Sequence, residues 1–305
     1  MSINPALIKQ LREQTGAGFA DVKNALAEAN GDMEQAVVIL RKKGLAAAGK
    51  KAGRVTAEGT IAAHVSGKTG VLVEVNCETD FVGRNEHFRN FAQQVAGVIS
   101  GSKANSVEEF LAETWPGSDE PVSQKVAEQI ASIKENISVR HFARYEAPET
   151  ATIGTYIHGG GKIGVMVEVV SNNPISSHID EVAKDIAMHI AAAEPRFLNR
   201  EDVTEKDLET EREIARDAAL KSGKPENIVE KMVTGKMEKF YAEFCLLEQP
   251  FIKDDKQTVT AFLKSRGKEA GCDFTVTRFT RYKLGEGIEK RSEDFAAEVA
   301  SYMNQ

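Results

Sequence analysis

Two copies of one segment decide the fold: residues 64–75 read HVSGKTGVLVEV and residues 158–169 read HGGGKIGVMVEV. The copies lie 94 residues apart and agree at eight of twelve positions. In each copy the glycines predict a tight hairpin turn, and the alternating valines that follow predict a strand with one buried face. The chain therefore contains an internal duplication that is built on β-hairpins.

A helical pattern follows each copy. Residues 87–99 carry apolar side chains spaced for one helix face, and residues 179–191 repeat that spacing. A hairpin and a helix in each copy predict two related units with antiparallel strands and helices on one face. We therefore expect an α+β fold.

The N-terminal region has a different character. Residues 1–44 predict three short helices that form a minimal bundle. Asn4 and Asp32 precede apolar runs as N-caps, and Gly44 is expected to end the third helix. Residues 45–58 are small and basic, which favours a solvated linker.

The second copy is interrupted by an insertion. Residues 204–246 predict an antiparallel helical hairpin with its turn at 222–225. Residues 251–282 return to strand character, and a final helix is expected from residue 292. The predicted parts are the bundle with its linker, two core units and a C-terminal helical module: 1–54, 55–145, 146–284 and 285–305.

Composition limits the class of protein. The chain has 305 residues, enough for two or three domains, and a net charge of −7, which opposes bulk attraction to nucleic acid. Its three cysteines are far apart, and no run of 18 apolar residues offers a membrane span. The first ten residues, MSINPALIKQ, lack signal or transit character. We expect a cytoplasmic globular protein.

Two nucleotide-binding patterns fail on context. Residues 159–164 fit G-x-G-x-x-G and residues 67–69 resemble the end of a P-loop, but a strand follows each instead of a helix. The histidines have no ligand spacing, and no Ser-His-Asp or Cys-His set can be assembled. We expect no direct nucleotide binding, no cofactor, no metal site and no enzymatic activity.

The residues after the first strand differ between the copies. Residues 78–81 read ETDF, whereas the equivalent residues 172–175 read NNPI. In one interpretation Phe81 folds back onto the adjacent helix as a staple, with Asp80 capping that helix. In the other, the aromatic ring is exposed because a partner protein receives it. Spacing alone favours the staple by a small margin, and both interpretations stay open.

Two long segments carry a family resemblance. Residues 11–26, LREQTGAGFADVKNAL, and residues 74–82, EVNCETDFV, resemble the two signatures of the bacterial translation elongation factor Ts family. The likeness extends through the duplicated core, the hairpin turn and the last helix. One departure is Gly83, where the family more often has Ala or Ser, and we expect it to loosen the following loop.

The resemblance implies a guanine-nucleotide exchange factor for elongation factor Tu. In that family the Thr-Asp-Phe-Val segment wedges against the GTPase and helps to dislodge the magnesium ion of bound GDP. The matching residues here are Thr79, Asp80, Phe81 and Val82.

The resemblance also implies further partner contacts. The N-terminal bundle is similar to ubiquitin-associated (UBA) domains and would touch the partner through Arg12, Phe19 and Ala20. His158 matches a contact position in the second core unit, the final helix would pack on the partner, and the helical hairpin is a candidate surface for homodimerisation. The alternative is a UBA-type peptide-binding adaptor without exchange activity.

Overall fold

The computed structural model describes residues 3–173, 178–221 and 225–289. Short 3-10 turns lie at Arg200–Asp202 and Leu246–Glu248. The described helices are α1 (Pro5–Thr15), α2 (Phe19–Glu28), α3 (Met33–Lys51), α4 (Asp80–Arg84), α5 (Glu86–Gly101), α6 (Val107–Ala112), α7 (Val122–Ile133), α8 (Ile179–Ala193), α9 (Glu205–Leu220), α10 (Glu226–Phe244) and α11 (Val259–Ala270). The described strands are β1 (Glu58–Ser66), β2 (Thr69–Cys77), β3 (Ile137–Glu146), β4 (Ala151–His158), β5 (Ile163–Ser171), β6 (Pro250–Phe251), β7 (Asp254–Thr258) and β8 (Phe274–Lys283).

The N-terminal bundle forms as predicted at its start. The Asn4 side chain accepts a hydrogen bond from the Ala6 amide, and Asp32 accepts one from the Gln35 amide, so both caps are confirmed. The three helices bury a small apolar core that includes Leu11, Val22 and Leu26.

The predicted end of the third helix is wrong. Helix α3 continues through Gly44 to Lys51, so the first half of the expected linker is helical. Gly44 is buried against α7, where a Cβ atom would lie 3.6 Å from the Ala127 carbonyl oxygen and from the Ala131 Cβ. The alanines after Gly44 favour helix, and packing on α7 offsets the intrinsic cost of glycine.

The first core unit is a three-stranded antiparallel sheet in the order β1-β2-β3. The β1–β2 hairpin closes through the predicted turn, in which Gly67 has a φ of 58°. Valines of β2, together with Cys77, pack against Phe88 and Phe91 of α5. Strand β3 completes the sheet and was not predicted, although Ile137 and Val139 alternate with polar residues at its start.

The second core unit repeats this arrangement with the strand order β4-β5-β8. Its hairpin turn contains three successive glycines at positive φ, 159 to 161, and α8 packs on one face of the sheet. A register shift follows Glu74 in the first sheet and the equivalent Glu168 in the second. The duplication therefore extends to the third strands and to their β-bulges.

The two sheets pack against each other on the faces that their helices leave free. Gly70 and Gly164 occupy equivalent places at this contact: a Cβ on Gly70 would lie 2.6 Å from Ile153, and one on Gly164 would lie 2.4 Å from Ile61. Leu72 and Met166 belong to the same buried cluster. The glycines thus permit the close approach of the two halves.

The remaining predictions have different outcomes. The α+β class and the helical hairpin, α9 and α10, are confirmed. The hairpin turn at 222–224 and the final helix expected from residue 292 lie outside the described residues, and the division into four domains stays a prediction. No helix in the described ranges is long and apolar enough to cross a membrane.

Candidate partner-binding site

The Asp-Phe pair lies on a single helical turn that directly follows β2. The Thr79 hydroxyl caps this helix, α4, by accepting a hydrogen bond from the Val82 amide. Val82 packs against the first core, whereas Phe81 is 83% exposed. The staple interpretation is therefore wrong, because the ring points into solvent.

The capping role given to Asp80 is also wrong. Thr79 is the N-cap of α4 and Asn85 is the N-cap of α5. Asp80 instead stands at the first position of α4, where its carboxylate lies 2.9 Å from the Arg84 guanidinium one turn later. Both side chains are partly exposed, so the pair adds little stability but orients the carboxylate.

Gly83 packs α4 closely onto the edge of the sheet. It is buried, and a Cβ at this position would lie 2.7 Å from the Gly59 carbonyl oxygen of β1. The expectation that this glycine loosens the segment is not supported, because its missing side chain permits a tight contact. A short helix packed in this way holds the Phe81 ring on a firm base.

A carboxylate from a distant loop holds the start of α4. One Glu135 oxygen accepts hydrogen bonds from the amides of Glu78 and Thr79, each at 3.0 Å, and the other accepts from the Thr79 hydroxyl at 2.6 Å. In return, the Glu78 carboxylate accepts a bond from the Asn136 amide at 2.6 Å. Sequence reasoning missed Glu135, because it lies 56 residues from Thr79 and belongs to no local motif.

The same loop also reaches the N-terminal bundle. The Lys134 ammonium lies 2.8 Å from the Asp21 carboxylate, and the hydroxyl of Ser132, in the last turn of α7, donates to the Gly16 carbonyl at 2.9 Å. Phe19, two residues before Asp21, is 56% exposed. The loop between α7 and β3 therefore connects the bundle to the base of α4.

The predicted contact residues of the bundle are exposed. Arg12 and Phe19 line one shallow surface depression beside Gly16, and Ala20 follows Phe19 on the exposed side of α2. The structure thus brings Arg12 and Phe19 together, as a shared contact surface requires.

His158 ends strand β4 and is exposed at the start of the glycine turn. Its Nδ1 atom lies 3.1 Å from the Tyr156 hydroxyl, which orients the ring. The turn rests on the other half of the molecule, since the Ile61 amide of β1 donates to the Gly161 carbonyl at 2.8 Å. Helix α4 also packs on β1, so the two exposed segments share one supporting strand.

The groups beneath the site are structural. Cys77 is fully buried, and burial raises the pKa of its thiol to about 12, which keeps it from acting as a nucleophile. Within the described ranges no group of three His, Cys, Asp or Glu side chains could hold a metal ion. The described part of the site therefore presents a supported, exposed aromatic ring, a feature typical of the class of proteins that bind another protein.

Comparison with known proteins agrees with this class. The family model described as Elongation factor TS matches residues 78–286. Elongation factor Ts of Clostridium perfringens is 51% identical over 302 residues, which cover 98% of each chain. The Syntrophotalea carbinolica protein of that name is 48% identical over 301 residues and 99% of each chain, and the Halothermothrix orenii protein is 48% identical over 308 residues and 100% of each chain.

The chain belongs to the elongation factor Ts family. The resemblance is confirmed, and so is the function expected from it, a nucleotide exchange factor in translation elongation. The adaptor alternative is not favoured.

Proposed function

We propose that the chain binds elongation factor Tu in its GDP-bound state, dislodges the magnesium ion and so speeds GDP release, after which GTP can enter. The observation that carries this proposal is the 83% exposure of Phe81 on a helix whose start is held by Glu135. An exposed aromatic ring is costly unless a partner receives it. Because α4 is held in place, the ring can displace groups of the partner without moving itself.

Thermodynamic linkage explains how binding alone accelerates release. A protein that binds the GTPase more tightly when nucleotide is absent must weaken nucleotide binding by the same factor. Burial of one Phe side chain contributes about 1.5–3 kcal/mol, which corresponds to roughly ten- to 150-fold in affinity. The ring therefore needs help from a wider interface and from the loss of magnesium coordination.

The other residues of the segment have supporting roles in this proposal. Thr79 and Val82 fix the helix, one as cap and the other by packing on the core. Asp80, whose carboxylate is oriented by Arg84, brings negative charge toward the phosphates, and the repulsion between them disfavours the phosphate–magnesium arrangement.

Two further surfaces widen the interface. Arg12, Phe19 and Ala20 contact the nucleotide-binding domain of the GTPase, and His158 contacts another of its domains. The exposure of all four residues supports these roles. The wider interface supplies the affinity that Phe81 alone does not.

The proposed mechanism needs no catalytic group, cofactor or nucleotide site of this chain, and it takes place in the cytoplasm.

We also propose that the helical hairpin allows two copies to associate, because Ile214 and Ile228 expose apolar surface there. Sedimentation of the purified chain tests this association: a concentration-dependent dimer that is lost in Ile214→Glu is expected, and a monomer throughout would contradict it.

The direct test is release of labelled GDP from elongation factor Tu with and without this chain. We expect faster release with the chain present, and an unchanged rate would contradict the proposal. A mixing experiment separates the adaptor alternative, because only an exchange factor forms a stable complex with nucleotide-free elongation factor Tu.

A further inference from the structure

One side chain connects the two predicted contact segments across the halves of the molecule. Arg89 lies in the first turn of α5. Its Nε atom donates to the Gly83 carbonyl in α4 at 3.2 Å, and its Nη2 atom donates to the Gly160 carbonyl at 3.0 Å. Gly160 belongs to the turn that begins beside His158, so a single guanidinium holds both segments.

The geometry of the guanidinium makes this connection specific. The group is planar, carries its donors in a fixed fork and stays charged, so it sets the spacing of two carbonyl oxygens that it contacts at once. The three donors of a lysine ammonium rotate on one nitrogen at the end of a flexible stem, so they do not impose the same relation. Arg89 therefore couples the position of α4 to that of the glycine turn.

The turn is seated firmly enough for this coupling to matter. A Cβ at Gly161 would lie 2.0 Å from the Thr60 hydroxyl oxygen, and the Gly161 carbonyl accepts from the Ile61 amide at 2.8 Å. On the other side, Gly83 lies against Gly59 of the same strand. Both segments therefore pack on strand β1, and Arg89 of α5 links them to each other by hydrogen bonds.

We propose that Arg89 is a positioning residue that makes α4 and the His158 turn one rigid unit. Contact of His158 with one domain of the GTPase then determines where Phe81 enters another. This inference rests on the proposed function, since it concerns the relative placement of two surfaces that both meet the same partner.

Three variants test the inference. Arg89→Met removes both hydrogen bonds while keeping an unbranched apolar stem, and Arg89→Lys keeps the charge. Gln93→Met is the matched control, because the Gln93 amide donates to the Ala63 carbonyl at 2.9 Å and so ties the same helix to β1 within the first half only. Thermal unfolding of each variant shows whether the fold is retained.

The first readout is amide hydrogen exchange of the free protein. We expect Arg89→Met to raise exchange in α4 and in the 159–162 turn together, each by roughly two- to tenfold, the size of one net hydrogen bond per segment. Gln93→Met should change neither segment. If exchange in the glycine turn is the same in Arg89→Met as in the unaltered chain, the inference is overturned. This readout involves no GTPase.

The second readout is the rate of GDP release from elongation factor Tu at saturating protein. We expect Arg89→Met to lower this plateau rate by roughly two- to tenfold and Arg89→Lys to restore part of it. His158→Ala should lower the plateau when Arg89 is present and have little further effect when Met replaces it. Equal effects of His158→Ala in both backgrounds would overturn the coupling.

The two readouts keep the hypotheses apart. If the unaltered chain does not speed GDP release, the proposed function fails, and the exchange data on the free protein still decide whether Arg89 joins the two segments.

Discussion

The two halves of the duplicated core share their strands and differ where the central strand ends. In the first half, Glu78 and Glu135 tie the chain to the third strand, and α4 presents Phe81. In the second half, Asn172 and Asp273 make an equivalent tie through two hydrogen bonds of 2.8 Å, and the next residues, 174–177, lie outside the described ranges. The two halves thus share their strands, and the segment that leaves the central strand, here called the exit, presents the exposed Phe81 ring in the first half.

Each half also buries one glutamate on its central strand, Glu74 in the first half and Glu168 in the second. In each half the bulge residue of the third strand bonds the glutamate: Arg140 reaches Glu74, and Thr277 reaches Glu168. Burial alone would raise the pKa of Glu74, but contacts with His141, the Gly285 amide, Asn76 and Arg140 outweigh it and lower that pKa to about 2. In the first half the glutamate therefore also anchors the segment that follows β8.

The difference between the two exits is tested by giving the exit of the first half the sequence of the exit of the second half. Replacing ETDF at 78–81 by NNPI is expected to slow stimulated GDP release by roughly 100-fold or more, because the aromatic ring and the acid are both lost. The swap should still fold, since Asn is an N-cap residue and Pro is tolerated at the first helical position. Retained exchange activity in the swapped chain would show that the difference between the halves is not functional.

The second largest effect concerns stability in acid. The Glu74 carboxylate has a folded pKa of about 2 against an ordinary value of 4.5, so its contribution is complete above pH 4.5 and is lost as the pH falls toward 2. The difference corresponds to about 3 kcal/mol of unfolding free energy.

We therefore expect Glu74→Gln to be less stable at pH 7 and to lose less stability between pH 5 and pH 2. Urea unfolding across this range measures both effects. Glu149→Gln, at an exposed carboxylate, is the control and should follow the unaltered chain. Parallel pH dependences of Glu74→Gln and the unaltered chain would contradict the assignment.

A smaller effect is expected from the support of α4. Glu135→Gln keeps one acceptor oxygen but loses the charge that holds the Glu78 and Thr79 amides, so the plateau rate of GDP release should fall roughly three- to tenfold. The control is Glu113→Gln, where a carboxylate of the same half accepts from the Lys103 amide away from α4. Equal rates in the two variants would mean that the support does not matter.

The smallest effect belongs to the second half. Asn172→Ala removes the hydrogen bonds with Asp273 and should lower the free energy of unfolding by about 1 kcal/mol. The rate of GDP release should stay unchanged, because the sequence at this position, NNPI, has no counterpart of the Asp-Phe pair. A slower release without further loss of stability would indicate that the second exit also contributes to exchange.

Periodicity and turn chemistry made much of the fold predictable. The hairpin turns, the helices that follow them and the helical insertion each have a local pattern, and the structure confirms them. Strand β3 was missed although residues 137–140 alternate apolar and polar side chains. The true end of α3 has no local signal, because it depends on packing against α7.

The site was predictable only in part. The duplication pointed to residues 78–81, since only one copy carries the acid and the aromatic ring. The role of Glu135 was not predictable, because its bonds join segments more than 50 residues apart. The exposure of Phe81 depends on how Gly83 packs α4 against Gly59, which spacing alone does not reveal. Hydrogen bonds between distant segments produce no periodic pattern of residues in a single sequence.

The measurement that tests the central claim most directly is the plateau rate of GDP release with Phe81→Ala, compared with Ile252→Ala, which truncates another exposed apolar residue in the second half. We predict that Phe81→Ala lowers the plateau rate by at least about tenfold while the half-saturating concentration changes less, and that Ile252→Ala alters neither. An unchanged plateau rate for Phe81→Ala would contradict the account.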